Sequence, residues 1–158
     1  MKKTVLITGA SRGIGRAIAV AFAKAGYNLV ITCSKSETEL LHLKNDLERD
    51  YSVDVLASIG DISDFEYVTQ LFSHIEQRFH GVDVLVNNAG NASIADREKG
   101  DIHANLCDMD DKTWDAIIER NLTLTYNVTA EVLKVMRKNR YGRIVFISSV
   151  TGPLVTHM

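Results

Sequence analysis

The chain has 158 residues, enough for one domain with a sizeable core. It is 46% hydrophobic and 24% charged with a net charge of −2, and its charges are interspersed, so it carries no basic stripe for nucleic acid. Its apolar runs are strand length, too short to span a membrane or form a secretory signal, and its two cysteines, Cys33 and Cys107, suit a reducing cytoplasm better than a disulfide staple.

In chain order, strands and helices alternate. Thr4–Thr8 reads as a first strand and Gly13–Ala25 as a helix stopped by Gly26. Asn28–Cys33 is a second strand. Leu40, Leu43 and Leu47 at helical spacing make Glu37–Arg49 a helix. Val53–Ile59 is a third strand. Ser63-Asp64-Phe65-Glu66 predicts a capping box, with Ser63 as cap, for a helix running to Phe79. Val82–Asn87 is a fourth strand. Asp110–Arg137 is one long helix with Trp114, Ile117, Ile118, Leu122 and Leu124 on its apolar side, and Arg143–Ser148 is a fifth strand. Short apolar strands separated by helices imply a parallel sheet covered on both faces, a doubly wound α/β fold of about five strands in a single domain over 1–158. Between strand four and the long helix, Asn91–Asp108 is polar and irregular. It is either a solvated surface loop or a flap over a bound substrate.

The most telling run is Val5-Leu6-Ile7-Thr8-Gly9-Ala10-Ser11-Arg12-Gly13-Ile14-Gly15. A strand enters a turn with three glycines and a helix begins at once. A helix N-terminus presents unpaired N–H groups and partial positive charge, so it suits a phosphate. Glycines let the backbone turn sharply and approach that phosphate. The alternative is a tight turn with no ligand. The histidines His42, His74, His80, His103 and His157 are scattered, with no pair at ligand spacing, so no metal site is expected. Asn91, Asn121 and Asn127 begin glycosylation-type triplets, read as chance matches.

Five motifs in order resemble those of the short-chain dehydrogenases/reductases. Thr8-Gly9-Ala10-Ser11-Arg12-Gly13-Ile14-Gly15 resembles their Thr-Gly-x-x-x-Gly-x-Gly turn. Asp61-Ile62 looks like their adenine-pocket acid and its neighbour. Asn87-Asn88-Ala89-Gly90 matches their Asn-Asn-Ala-Gly motif. Asn121 stands where they keep an Asn on the long helix, and Gly142–Ser149 is similar to the strand that delivers their catalytic Ser. The 3-oxoacyl-carrier-protein reductase type is the most similar in look. The resemblance implies a Rossmann-type three-layer fold and hydride transfer between a nicotinamide cofactor and a small carbonyl or alcohol substrate. It implies Ser149 and Asn121 as catalytic residues. Gly9, Ser11, Arg12, Gly13, Ile14, Gly15, Ser34, Asp61, Ile62, Asn88, Ala89 and Gly90 are implied as cofactor-binding residues. Taken alone, Asp61 could be a helix N-terminal acid, Asn88-Ala89-Gly90 a plain turn, Asn121 a solvent-facing residue and Ser149 a strand-end cap.

The resemblance also places an Asp at the end of strand two in NAD-specific members. Cys33 stands there instead, followed by Ser34 and Lys35, with Arg12 in the glycine turn. Two cations and a hydroxyl favour NADP(H) over NAD(H). One departure stands out. The family's Tyr-x-x-x-Lys lies farther beyond the Ser than Met158 reaches, and none of Tyr27, Tyr51, Tyr67, Tyr126 and Tyr141 has a Lys four positions on. The expectation is a chain that stops before the C-terminal part of the family fold and is inactive alone. Its strand-five edge should lie bare around Ile144 and Val145, and its family-type homo-oligomer contact should be incomplete. The competing expectation is a non-catalytic dinucleotide-binding or interaction module. Neither membrane nor nucleic-acid partners are expected.

Overall fold

The computed structural model describes residues 2–90 and 110–148. The predicted loop 91–108, Cys107, His103 and the residues from Ser149 onward lie outside that set. The five strands are β1 (Thr4–Ile7), β2 (Asn28–Cys33), β3 (Val55–Ile59), β4 (Val84–Asn87) and β5 (Arg143–Phe146). They form one parallel sheet in the order β3-β2-β1-β4-β5. Parallel neighbours cannot be joined by a tight hairpin, so each connection crosses over through a helix. These helices are α1 (Gly13–Lys24), α2 (Glu37–Tyr51), α3 (Phe65–Phe79), α4 (Asp111–Ile118) and α5 (Leu124–Asn139).

Strand residues alternate between two cores. Val5, Ile7, Leu29, Ile31 and Val86 join Ala19 and Ala23 of α1 and Leu40, Leu43 and Leu47 of α2. Leu6, Val30 and Leu85 join Val68, Leu71 and Ile75 of α3 and Val128, Val132 and Met136 of α5. Burial on both faces explains why the strands are continuous apolar runs instead of alternating ones. The result is the expected three-layer, Rossmann-like doubly wound sheet. Chain order reverses between β1 and β4, and the loops leaving the carboxyl ends of those strands border the crevice where such sheets bind ligands.

Three expectations need correction. The long helix is not one regular α-helix: Glu119–Thr123 is a turn of π-helix between α4 and α5. Trp114 and Leu122 do not face the core but are exposed, 64% in the case of Leu122, and α4 contributes no buried residue. Leucine spacing alone cannot register the extra residue that a π-turn inserts, and that residue rotates the helix face. At β5, Val145 and Phe146 are exposed as expected of a bare edge, but Ile144 packs against the α3–α5 core. Its side chain points to the face that α5 covers, whereas Val145 points to the other.

Candidate functional site

The glycine turn closes on β4 through two close approaches, and a third glycine lines its open mouth. Gly9 (φ +66°) lies against Ala89, where a Cβ would sit 3.0 Å from the Ala89 Cα. A Cβ on Gly15 would overlap the Gly9 carbonyl and the Asn88 amide, so only hydrogen fits. Gly13 (φ +56°) faces open space at the mouth of the turn, where a left-handed backbone favours glycine. The polar groups around the turn are tied together. The Thr8 hydroxyl accepts from the Asn88 N–H at 3.0 Å and the Ala89 N–H at 2.9 Å. Asn88 Nδ2 donates to the Thr8 and Gly9 carbonyls at 2.9 and 3.1 Å. Asn88 was expected to bring backbone near a ribose. Its side chain is also the clamp that holds the glycine turn.

At the start of α1, Arg12 is extended (φ −151°), makes no side-chain cap bond, and no acid occupies the first turn. The helix therefore presents its N-terminal N–H groups without an internal acceptor, beside the open space over Gly13. That arrangement fits a dinucleotide's diphosphate. Arg12, Gly13 and Ile14 are exposed at the mouth, while Ser11 is buried. Among the described residues, Arg12 and Lys35 make no ion pair with a carboxylate.

Cys33 ends β2 and is buried, and burial pushes its thiol pKa up. It is therefore neutral where NAD-specific relatives are expected to hold a carboxylate. Ser34 and Lys35, next along the chain, are exposed. After β3, Asp61 is exposed and its Oδ1 accepts from the Ser63 N–H at 2.9 Å and the Ser63 hydroxyl at 2.8 Å. Ser63 is thus not the cap of α3. Asp64 is, with its carboxylate accepting from the Glu66 N–H at 2.8 Å. A charged acceptor outcompetes a hydroxyl that is already bonded to a carboxylate two residues earlier. Ile62 is buried in the α3–α5 core, so little of its side chain is left for an adenine ring.

Asn121 sits in the π-turn. Its Nδ2 donates to the Ile117 carbonyl at 2.9 Å, and its own carbonyl accepts from the Thr125 hydroxyl at 3.1 Å. A Cβ on Gly90 would sit 3.7 Å from Asn121 Oδ1, so the helix residue and the β4 turn are neighbours. π-Turns concentrate at functional sites because they re-aim a side chain. The structure thus brings Gly9, Gly15, Asn88, Ala89, Gly90 and Asn121 into one crevice. Ser149 lies outside the described residues. Asn87, which opens the Asn-Asn-Ala-Gly motif but was assigned no role from the sequence, ends β4 buried. Its Nδ2 donates to the Thr129 hydroxyl at 2.9 Å, and its Oδ1 has no partner among the described residues. No cluster of metal-ligating side chains occurs among the described residues, and none of their helices is long and apolar enough to cross a membrane.

A family model for short chain dehydrogenases matches residues 3–157. A 3-oxoacyl-[acyl-carrier-protein] reductase of Aquifex aeolicus is 37% identical over 150 residues, which cover 95% of this chain and 56% of that protein. One from Staphylococcus aureus is 33% identical, covering 96% and 58%. The crystal structure of L-sorbose reductase from Gluconobacter frateurii, complexed with NADPH and L-sorbose, superimposes with a TM-score of 0.84 at 28% identity, covering 99% of this chain and 56% of that one. An alcohol dehydrogenase from Thermococcus sibiricus, complexed with 5-hydroxy-NADP, gives 0.82 at 30%, covering 98% and 62%. The chain spans little more than half the length of the curated relatives it matches. With the match running nearly end to end through every element of the crevice, this chain belongs to the short chain dehydrogenase family.

Proposed function

We propose that the chain is the cofactor-binding part of an NADP(H)-dependent oxidoreductase acting on a small carbonyl or alcohol. The observation that carries this reading is the clamped glycine turn, with an uncapped helix N-terminus and open space over Gly13. Such a site offers N–H donors to a diphosphate and leaves room for it. Gly9, Ser11, Gly13, Ile14 and Gly15 form the cradle, Asp61 borders the adenine with Ile62 anchoring its loop in the core, and Asn88, Ala89 and Gly90 line the ribose side.

The preference for NADP(H) rests on charge. A neutral buried Cys33 does not repel a 2′-phosphate, and exposed Arg12, Ser34 and Lys35 supply cations and a donor for it. The NADPH and 5-hydroxy-NADP of the two solved relatives are consistent with that preference.

When bound, the cofactor supplies or accepts a hydride at its nicotinamide ring. By the family's pattern Asn121 would support a proton-relay water from the π-turn, and Ser149 would orient the reacting oxygen by hydrogen bonding. The family's proton donor for a developing alkoxide is a Tyr with a Lys four positions on, a pair that these 158 residues do not contain. The 158-residue chain therefore binds cofactor without turnover. Its neutral, buried Cys33 thiol suits the reducing cytoplasm. Exposed Trp114, Leu122, Tyr126 and Leu133 on the α4–α5 limb give the apolar surface that a homo-oligomer contact of the family kind would use.

Calorimetric titration with NADPH and NADH, beside a carbonyl-reduction assay, tests the reading. NADPH should bind tighter by about tenfold or more, with no turnover. Tighter NADH binding overturns the preference, binding of neither overturns the cofactor reading, and turnover overturns the inactivity.

A further inference from the structure

The turn between β3 and α3 is held from two sides. From α5, the Asn127 amide donates to two successive carbonyls, Ile62 at 3.3 Å and Ser63 at 2.7 Å. Asn127 is 5% exposed and lies on a helix stripe otherwise made of Leu124, Val128, Val132 and Met136. A buried amide there costs free energy unless its hydrogen bonds are made, and an apolar residue would fill the position more cheaply. From α3, the Tyr67 ring occupies the space that a Cβ on Gly60 would need, and the Tyr67 hydroxyl bonds the Ser58 hydroxyl at 2.6 Å. The Gly60 N–H in turn donates to the Cys33 carbonyl at 2.9 Å. The strand exit is thus fixed by Tyr67 and β2, and what Asn127 adds is the orientation of the two peptides beyond it.

Those peptides decide where Asp61 points. Its Oδ1 is engaged by the N–H and hydroxyl of Ser63, the residue whose carbonyl Asn127 holds. Its Oδ2 accepts nothing from a described residue, and the side chain is exposed. The Ser63 hydroxyl also lies 3.4 Å from Glu119 Oε1 in the π-turn, so the acid's holder contacts the segment that carries Asn121.

We propose that Asn127 is a positioning residue for adenine recognition: by holding the Ile62 and Ser63 carbonyls it aims Asp61 Oδ2 at the 6-amino group of the cofactor. This rests on the cofactor reading given above and goes one step beyond it, to a residue that touches no ligand.

The test compares the affinity for NADPH with that for its hypoxanthine analogue, in which a carbonyl replaces the 6-amino donor. A carboxylate aimed at that position should make the wild-type chain prefer NADPH by about tenfold. Asp61→Ala should remove the preference. Asn127→Leu keeps the branched shape, with some added bulk, and removes the donor, and it should cut the preference to below about twofold. Asn127→Ala serves the same purpose if the leucine variant does not fold. A purely structural role for Asn127 would weaken both ligands by one factor, or only lower the melting temperature, and leave the ratio intact. A preference lost in Asp61→Ala but kept in the Asn127 variants overturns the proposal while the cofactor reading stands. A wild-type chain that does not discriminate overturns the role of Asp61 and this proposal with it. A wild-type chain that binds neither ligand overturns the cofactor reading too.

Discussion

β4 and β5 are neighbours in one sheet with similar residues, yet they live in different environments. Leu85 pairs with Ile144 and Val86 with Val145. Leu85 is fully buried and Val86 nearly so, whereas Val145 is 44% exposed and Phe146 56%. Composition does not separate the two strands; cover does. β4 has β1 and β5 beside it and helices over both faces, while among the described residues β5 pairs with β4 alone and no helix lies above Val145. The crevice end of β4 is internally hydrogen-bonded, and on the β5 side Val145 and Phe146 are exposed among the described residues.

The comparison breaks most readily at paired core positions. Leu85→Ala should cost about 2–5 kcal/mol in chemical denaturation, through lost burial and a cavity. Val145→Ala on the adjacent strand should cost under about 0.5 kcal/mol. Equal costs would mean that the β5 face is covered in solution. Within the crevice, Gly15→Ala forces a methyl against the Gly9 carbonyl, which is backbone and yields little. About 1–3 kcal/mol of stability and most cofactor affinity should go together. Thr8→Val removes the acceptor of the Asn88 and Ala89 N–H groups and should cost about 1–3 kcal/mol. A Thr8→Val chain with unchanged NADPH affinity would show that the clamp is not needed to shape the cradle.

The covered half was the legible half. Apolar strands, glycine spacing and helix periodicity report the backbone and its burial, so the sheet and the glycine turn could be read from the chain alone. Side-chain ties between distant segments leave no such mark. Asn127 matched only a glycosylation-type triplet and proves to be a buried anchor, which a polar residue three positions after Leu124 on an apolar stripe could have signalled. Tyr67 over Gly60 had no local pattern at all, because the contact depends on how α3 lies across β3. The π-turn was hidden for a related reason: a single inserted residue leaves the hydrophobic spacing nearly helical.

Cofactor choice sharpens the comparison from the β2 side. Cys33→Asp would put a carboxylate where a neutral thiol now ends the strand. The NADPH-to-NADH affinity ratio should fall by about tenfold or more, as expected for a like charge against a 2′-phosphate. Burial of the strand end is tested on the unsubstituted chain. Cys33 should alkylate slowly and only above the pH at which an exposed cysteine reacts, since its thiol pKa is raised by burial. An unchanged ratio would mean that Arg12 and Lys35, not the strand end, set the preference.

The smallest effect belongs to the limb that packs least. α4 has no fully buried residue, and its start rests on Asp110, whose carboxylate accepts from the Thr113 N–H at 2.8 Å. Hydrogen bonds from the Thr113 hydroxyl and N–H hold the Asp110 pKa below the usual carboxylate value. With the folded value depressed, the unfolded chain takes up the proton first as pH falls. The contribution is therefore complete above about pH 4, the unfolded value, and is lost as pH drops through the folded one. Asp110→Asn keeps a capping oxygen but cannot titrate. Its melting temperature should sit slightly below wild type at about pH 6, and the gap should close as pH falls below the unfolded value. Because Asp110 is fully exposed, the same substitution should leave protection of the Thr8 and Ala89 amides from hydrogen exchange unchanged. Loosening there would mean that α4 and the crevice form one cooperative unit, and that the contrast between the closed and open halves is a matter of cover alone.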